Sequence, residues 1–536
     1  MADTVQQALR ELLANDTTAI VHDTGCWTWR QHLAEASAQA SALLSILDPA
    51  RPMHVGTLLG NTPDMLHAVA AAGLGGFPLV GINTTRRGEG LAGDIRHADC
   101  QVVLTDPAHA PLLDGLDLGD VTVLDVASPQ WRLLVEDAPA LSPYREVEMM
   151  DPFMLIFTSG TSGDPKPVLL AQIMVIFAGN SLVSRFSIST DDVAYLSMPM
   201  FHSNAILAGW CVSLCSGAAM APATFSASSF LDDIRRYGAT YMNYVGKPLA
   251  YLLATPEQPD DADNPLRVAF GNEATDRDID EFARRFGCTV WDGFGSTETA
   301  VIITREEGTP PGSIGKGLAG VEVYDPVSLT QCAPAEFDDN GALINADKAI
   351  GELVNTRGGG FFTGYYNDRA ATDERMRHGM YWSGDLAYQD ADGWIYLAGR
   401  TADWMRVDGE NLAAAPIERI LQRLPQCSRV AVYGVPDKHV GDQVMAAIVL
   451  RDDTTLAPEE LSEFLASQTD LSPKAWPRHV RIDADLPATA TNKILKRELK
   501  QQGVTPGAGA LWVRTGTTYS PVTQPDPQSS PTSTGM

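Results

Sequence analysis

The sequence predicts an α/β protein with a large N-terminal domain built on mostly parallel sheets and a small α+β C-terminal domain. The chain of 536 residues exceeds one ordinary hydrophobic core, so at least two domains are expected. Short apolar strands alternate with helical stretches over residues 54–105 and 194–290, which is typical of parallel sheets. Beyond residue 400 the pattern predicts an α+β unit of roughly 110 residues, which is a common domain size.

The elements follow from apolar periodicity. Predicted helices cover residues 32–47, 63–72, 204–214, 229–237, 276–286, 412–424, 458–467 and 493–501, with one more at the N-terminus. Predicted strands cover 19–22, 26–29, 55–59, 78–82, 101–105, 194–198, 240–245, 266–270, 289–291, 429–433 and 444–450. The uncharged runs 65–82 and 205–225 are interpreted as a buried helix followed by a buried strand, not as membrane spans.

These elements divide the chain into three parts. Residues 1–400 form the predicted large domain and residues 401–514 the small one. Residues 515–536 are rich in Pro, Ser, Thr and Gln without periodicity, so a disordered tail is expected there.

The composition is that of a soluble globular protein that binds no nucleic acid. Hydrophobic residues make up 44% of the chain and charged residues 20%, as in ordinary globular domains. The net charge of -28 argues against the basic face that nucleic-acid binding needs. Seven cysteines without a C-x-x-C pair indicate reduced thiols and a cytoplasmic location. No signal peptide is evident.

A loop rich in hydroxyls and glycines, flanked by two apolar strands, is the centre of the predicted site. It lies within Leu155-Ile-Phe-Thr-Ser-Gly-Thr-Ser-Gly-Asp-Pro-Lys-Pro-Val-Leu-Leu170. Its glycines let the backbone aim N–H groups at a ligand, and its lysine is a mobile point charge suited to phosphate. The residues assigned to phosphate binding are Thr158, Ser159, Gly160, Thr161, Ser162, Gly163 and Lys166.

The loop is not a Walker A motif, because Pro165 stands where that motif needs its second glycine. It resembles the phosphate loop of the adenylate-forming superfamily, which contains acyl- and aryl-CoA synthetases, luciferases and peptide-synthetase adenylation domains. Further elements that resemble this superfamily follow in its order, at residues 292–298, 381–385, 399–400, 409–411 and 487–493. Tyr244-Val-Gly and Tyr433-Gly-Val-Pro are most similar to the very-long-chain acyl-CoA synthetase and fatty-acid-transport-protein branch, and to actinobacterial fatty-acid or steroid CoA ligases.

The resemblance implies an ATP site assembled from distant parts of the chain. The implied catalytic residues are Thr158, Glu298 and Lys493, with Glu298 as the Mg²⁺ ligand. Nucleotide contacts outside the loop are implied for Gly271, Asn272, Glu273, Asp292, Gly293, Phe294, Gly295, Ser296, Thr297, Asp385, Arg400 and Lys493. Phe294 and Asn492 depart from the superfamily's usual tyrosine and glycine.

The resemblance also implies an acyl pocket, a thiol tunnel and a mobile small domain. Pocket residues are Phe201, His202, Ala205, Gly209, Ser213, Tyr244, Val245, Gly246 and Phe294. Because several are small, we expect them to leave volume for a wide apolar acyl chain. The CoA tunnel is implied for Gly409, Glu410 and Asn411, and the hinge of the small domain for Ala402.

The activity that the resemblance implies is that of an AMP-forming acyl-CoA synthetase with ATP, Mg²⁺ and CoA. Its acid is expected to be apolar, either a fatty acid or a steroid side-chain carboxylate. Two alternatives stay open: delivery of the acyl group to a carrier-protein pantetheine, and a catalytically silent nucleotide- or lipid-binding protein on the same fold. Two further properties stay open, namely assembly into a homodimer and peripheral contact with a membrane. No membrane span is expected.

Overall fold

The computed structural model describes residues 2–158, 165–339, 341, 343–400, 404–407, 410–437, 441–468, 471, 473–488, 494–504 and 509–522. The chain forms two compact units, Met1–Val321 with Val354–Ser383, and Glu322–Leu353 with Gly384–Met536. Residues 322–353 and 384–400, which the sequence analysis placed in the large domain, therefore group with the second unit.

The helices and strands have the following bounds. The helices are α1 Val5–Leu12, α2 Trp29–Ile46, α3 Pro63–Gly75, α4 Gly88–His97, α5 Pro129–Glu136, α6 Gln172–Phe186, α7 Cys211–Ser216, α8 Phe230–Tyr237, α9 Lys247–Leu253, α10 Asp276–Phe286, α11 Ala346–Ala349, α12 Arg369–Arg375, α13 Ala414–Leu421, α14 Pro458–Ser467 and α15 Lys496–Gln502. The strands are β1 Thr18–His22, β2 Gly25–Thr28, β3 His54–Leu58, β4 Leu79–Gly81, β5 Cys100–Thr105, β6 Thr122–Asp125, β7 Pro152–Thr158, β8 Lys166–Ala171, β9 Val193–Leu196, β10 Ala219–Pro222, β11 Tyr241–Val245, β12 Val268–Asn272, β13 Thr289–Gly295, β14 Ile302–Thr304, β15 Gly315–Gly317, β16 Val321–Tyr324, β17 Gly351–Asn355, β18 Met376–Arg377, β19 Met380–Gln389, β20 Trp394–Arg400, β21 Trp404–Val407, β22 Glu410–Ala413, β23 Cys427–Asp437, β24 Gly441–Leu450, β25 His479–Asp483, β26 Leu511–Thr515 and β27 Thr518–Pro521. A π-helix, Ala205–Trp210, precedes α7.

The first unit contains two sheets that are mostly parallel, as predicted. One sheet has the order β6-β5-β3-β4-β7-β8 and is parallel except for β8, which pairs antiparallel with β7. The other runs β2-β1-β10-β9-β11-β12-β13-β14-β15. The six central strands of this sheet are parallel to one another, namely β1, β10, β9, β11, β12 and β13. The outer strands β2, β14 and β15 pair antiparallel.

The largest core of the first unit joins both sheets. It contains Val55 and Phe153 of the first sheet and Leu196 and Tyr241 of the second. Phe153 stacks on Trp210 with ring centroids 5.6 Å apart. Helix α3 buries twelve of its thirteen residues, which confirms that the apolar run 65–82 is a buried helix leading into a strand. None of the described helices is both long and apolar enough to cross a bilayer.

The second unit contains a sheet of order β22-β21-β24-β25-β26-β27, with β23 also paired to β24. Its core includes Ile417, Val432 and Ile448. Strand β27 pairs antiparallel with β26, so the prediction that the disordered tail begins at residue 515 is wrong for Thr518–Pro521. Tyr519 explains the difference, because its ring is buried and its hydroxyl donates to the Pro477 carbonyl over 2.6 Å.

Gly179 marks a close approach between α6 and α7. A Cβ there would lie 2.5 Å from Cys215 Sγ and 2.6 Å from the Cys211 carbonyl oxygen. Gly179→Ala should therefore lower the free energy of unfolding by about 1–3 kcal/mol, since packed backbone must move. Gly93→Ala in α4, where a Cβ meets nothing within 4 Å, should instead raise it by up to about 1 kcal/mol. If urea denaturation showed the same change in the free energy of unfolding for both variants, the close approach at Gly179 would be contradicted.

Candidate active site

The carboxyl ends of β11, β12 and β13 form one edge of the candidate site. In their register Tyr244 lies opposite Gly271, and Gly271 lies opposite Asp292. Parallel strands end at the same edge of a sheet, where α/β proteins bind ligands. Residues Asp292–Gly295, expected to follow a strand, lie within β13 itself. This edge thus brings together the predicted stretches 244–246, 271–273 and 292–295.

The backbone is tightly packed at this edge. A Cβ on Gly271 would come within 2.2 Å of the Tyr244 carbonyl oxygen, so no larger residue fits there. Gly246 has a φ of +58° and donates its N–H to the Asn272 carbonyl over 2.6 Å. Glu273 has a φ of +66°, which residues other than glycine rarely adopt. Such strain is common in loops that hold ligands.

A ladder of amide side chains crosses this edge. Asn272 Nδ2 donates to the Gly293 carbonyl over 2.9 Å. Asn204 Nδ2 donates to Asn272 Oδ1 over 3.1 Å, and Asn243 Nδ2 donates to Asn204 Oδ1 over 2.7 Å. Because Asn272 Oδ1 and Asn204 Oδ1 each accept from the next amide, the bond to Gly293 orients all three side chains. The sequence analysis named Asn272 and missed Asn243, although an asparagine within a predicted apolar strand was a usable signal.

Asp292 is buried and faces protein donors. The Tyr244 hydroxyl and the Ala274 N–H each donate to its Oδ2 over 3.1 Å. Burial raises the pKa of Asp292 to about 7. Tyr244, predicted to line the acyl pocket, turns its hydroxyl toward this carboxyl.

The segment before the π-helix carries polar groups to the same edge. Ser203 Oγ lies 2.9 Å from Thr297 Oγ1. The His202 ring lies 4.4 Å from the Phe201 ring, centroid to centroid. Burial lowers the pKa of His202 to about 4, so the imidazole is neutral at physiological pH. Its Nε2 has no hydrogen-bond partner among the described residues.

Glu298 and Tyr365 form a buried pair. The Tyr365 hydroxyl donates to Glu298 Oε1 over 2.7 Å, and the two residues are 7% and 8% exposed. Lys166 Nζ lies 5.6 Å from the centroid of the Tyr365 ring. The Arg375 guanidinium lies beside Tyr365 and interacts electrostatically with Glu298. Cations beside Tyr365 are suited to phosphate, and the Glu298 carboxylate is suited to a hard metal ion. The sequence analysis missed Tyr365 and Arg375.

The predicted phosphate loop leaves β7 and returns in β8. Thr158 pairs with Lys166 in the register of these strands, and Thr158 Oγ1 donates to the Lys166 carbonyl over 3.4 Å. Loop residues Ser159, Gly160, Thr161, Ser162 and Gly163 lie outside the described residues.

Other predicted residues belong to the second unit. Asp385 lies within β19, opposite Arg400 of β20. Asn411 lies opposite Arg406 in the β21–β22 pair. Ala402, Gly409 and Lys493 lie outside the described residues.

The small residues of the predicted acyl pocket are packed against protein atoms. A Cβ on Gly209 would lie 2.8 Å from Asn243 Oδ1 and 2.9 Å from Leu196. Ser213 is fully buried and donates to the Ala219 carbonyl over 3.3 Å. The expectation that Gly209 and Ser213 leave volume for an acyl chain is therefore wrong. Ala205 and Ala208 are also buried.

A cavity of about 490 Å³ opens at the carboxyl ends of β1 and β10. Its lining includes His22, Asp23, Asn61, Asp233 and Arg236. Arg236 pairs with both aspartates. Because this lining is ionic, it does not suit an apolar acid.

Two family descriptions match the sequence. The family described as AMP-binding enzyme matches residues 11–366, and the AMP-binding enzyme C-terminal domain matches residues 416–493.

Two curated proteins are similar over nearly the whole chain. A medium/long-chain-fatty-acid–CoA ligase of Mycobacterium tuberculosis is 50% identical over 503 residues, which are 94% of this chain and 97% of that protein. A steroid-22-oyl-CoA synthetase of Rhodococcus jostii is 43% identical over 505 residues, with coverage of 93% and 91%. The ATP-bound structure of MatB from Rhodopseudomonas palustris superposes with a TM-score of 0.82 at 22% identity, covering 94% of this chain and 99% of that one. At that identity the match shows the fold alone.

Asp292→Asn should make stability less dependent on pH. Because burial raises the pKa of Asp292 from 3.8 to about 7, the folded protein binds this proton more tightly than the unfolded chain. The wild-type free energy of unfolding should therefore fall as pH rises through this window, by on the order of 2–4 kcal/mol. Asparagine keeps a hydrogen-bond acceptor and does not titrate. The free energy of unfolding of Asp292→Asn, measured with urea, should therefore rise relative to that of the wild type between about pH 5 and about pH 8. A difference that does not vary with pH would contradict this.

Proposed function

The chain belongs to the family of AMP-binding enzymes, as its resemblance to adenylate-forming enzymes predicted, and on this premise we propose that it activates an apolar carboxylic acid. The overall reaction is that of an AMP-forming acyl-CoA synthetase, an acid–thiol ligase. A medium- or long-chain fatty acid is the first candidate acid, and a steroid side-chain acid is the second. The observation that carries this proposal is the similarity to the mycobacterial fatty-acid–CoA ligase across nearly the whole chain.

The chemistry requires activation of the acid, because a thiol cannot expel oxide from a carboxylate. Attack of the carboxylate oxygen on the α-phosphorus of ATP forms an acyl-adenylate and releases pyrophosphate. The CoA sulfur then attacks the acyl carbon, and AMP leaves. The protein mainly has to position the reactants and balance charge. Lys166, Thr158 and Thr297 are proposed to serve the phosphates.

The family also implies Mg²⁺, and the described residues fit it. Tyr365 hydrogen-bonds Glu298 Oε1, and no described residue hydrogen-bonds Oε2, which is left to face a cation. No three metal-ligating side chains converge within the described part of the chain. The other ligands would therefore be phosphate oxygens and water, as is usual for Mg²⁺ at nucleotides. Bound there, the ion would neutralise phosphate charge.

The second unit carries the remaining proposed groups. Asp385 and Arg400 are proposed to hold the ribose, since a carboxylate can accept from both hydroxyls. Lys493 is proposed to serve adenylation, and Gly409, Glu410 and Asn411 to line the thiol tunnel. We place the hinge at Ala402, because alanine allows the φ/ψ change that a hinge needs.

An AMP-release assay over a panel of acids tests the proposal. Each buried CH₂ contributes about 0.8 kcal/mol, so AMP formation should rise with acyl length until the pocket is full, and CoA should accelerate it. Best turnover of acetate would contradict an apolar acid. A rate that CoA does not change would favour a carrier-protein acceptor. No AMP from any acid would favour a silent homologue.

Lys493→Ala should cripple adenylation and leave thioester formation from supplied acyl-AMP largely intact. The reason is that the lysine stabilises charge only while the α-phosphorus reacts. Arg497→Ala, which removes an exposed cation of α15, is the matched control and should change neither half-reaction. Equal loss of both half-reactions in folded Lys493→Ala protein would show that the lysine does not act in the first step alone.

A further inference from the structure

Tyr365 connects the proposed metal ligand to the phosphate loop, and no sequence motif assigned it a role. We infer that Tyr365 is a positioning residue that orients the Glu298 carboxylate, so that Oε2 rather than Oε1 receives the divalent cation that accompanies ATP. This inference rests on the proposed function, since it deepens the role of Glu298 at the same site.

The backbone of Tyr365 is fixed to the strand that leaves the phosphate loop. Leu169 N donates to the Gly364 carbonyl over 3.2 Å, and Tyr366 N donates to the Pro167 carbonyl over 2.8 Å. Tyr365 N donates to Thr372 Oγ1 over 3.0 Å. Backbone bonds on both sides therefore hold this tyrosine in register with β8, which begins at Lys166.

The ring of Tyr365 is also fixed. Phe362 meets it edge-on, with centroids 5.2 Å apart and planes at 71°. Lys166 Nζ lies over one face at 5.6 Å, within the range of a cation–π contact. With 7% of the residue exposed, the hydroxyl has little freedom to turn away from Glu298.

The hydrogen bond sets which carboxylate oxygen is available. A carboxylate accepts hydrogen bonds and cannot donate them, so the Tyr365 hydroxyl is the donor and occupies Oε1. Arg375 lies beside Tyr365 and interacts electrostatically with Glu298, and its Nη1 donates to the Trp382 carbonyl over 3.3 Å. Without the Tyr365 hydroxyl, Glu298 is free to rotate toward this guanidinium, and the resulting ion pair would compete with a divalent cation.

The test is Tyr365→Phe, which keeps the ring and its contact with Phe362. The concentration of Mg²⁺ that gives half-maximal AMP formation should rise about tenfold, as is usual when the partner of a metal ligand is lost. Saturating Mg²⁺ should restore most of the maximal rate. Mn²⁺ binding to the enzyme–ATP complex, followed by electron paramagnetic resonance, should weaken by a similar factor. This second readout needs no turnover.

Two further variants sharpen the experiment. Tyr366→Phe removes a neighbouring hydroxyl that donates to Asp99 Oδ2 over 2.8 Å, and it should leave both Mg²⁺ and Mn²⁺ dependence unchanged. Adding Arg375→Gln to Tyr365→Phe removes the competing guanidinium and should return much of the lost cation affinity. Arg375→Gln alone should bind Mn²⁺ at least as tightly as the wild type, which tests the same competition should Tyr365→Phe fail to fold.

The outcomes separate this inference from the proposed function. A lower maximal rate in Tyr365→Phe with unchanged Mg²⁺ and Mn²⁺ dependence would overturn the inference, since Tyr365 would then support only the fold. Wild-type Mn²⁺ affinity that survives Glu298→Gln would overturn it too, because Glu298 would not be a ligand. Absence of AMP formation by the wild type with every acid would count against the proposed function, while the Mn²⁺ measurement would still decide the role of Tyr365.

Discussion

The shared carboxyl edge of the parallel strands β11, β12 and β13 is the constraint on which the candidate site depends. Once their register places Tyr244, Gly271 and Asp292 in line, the polar groups at this edge must find partners, because an unpaired buried group costs about 1–3 kcal/mol. The amide ladder and the Tyr244–Asp292 bond meet that requirement for most of these groups, while Asn243 Oδ1 stays without a hydrogen-bond partner among the described residues. They also fix the positions of the loops before any ligand binds, and catalysis by positioning depends on such preorganisation.

Charge poses a second constraint, because the chain carries a net charge of -28 and its proposed ligand is a polyanion. Cations must therefore act locally, and Lys166 and Arg375 both lie beside Tyr365, the partner of Glu298. Asp292 would add a further negative charge at this edge. Burial raises its pKa to about 7, so this carboxyl holds a proton below neutral pH and repels phosphate less than an exposed aspartate would.

Local patterns in the sequence predicted much of this arrangement. The apolar runs on both sides of the phosphate loop correctly predicted β7 and β8, and the alternation of strands and helices correctly predicted the parallel sheets. Tyr365 could not be found in this way, because its partner Glu298 lies 67 residues earlier and no periodicity links them. Gly209 shows a different limit. A glycine in a helix indicates either space for a ligand or the close approach of a neighbour, and only the position of Asn243 decides between them.

The path of the chain separates the proposed functional groups. After residues 322–353 join the second unit, residues 354–383 return to the first and bring Tyr365 to β8. Lys166, Glu298, Tyr365 and Arg375 consequently all belong to the first unit, so its own packing sets the geometry of the proposed cation site. Asp385 and Lys493 belong to the sequence of the second unit. If the residues beyond the proposed hinge at Ala402 move between the half-reactions, the groups proposed to hold phosphate, cation and ribose stay in place, and only those beyond the hinge, such as Lys493, are exchanged.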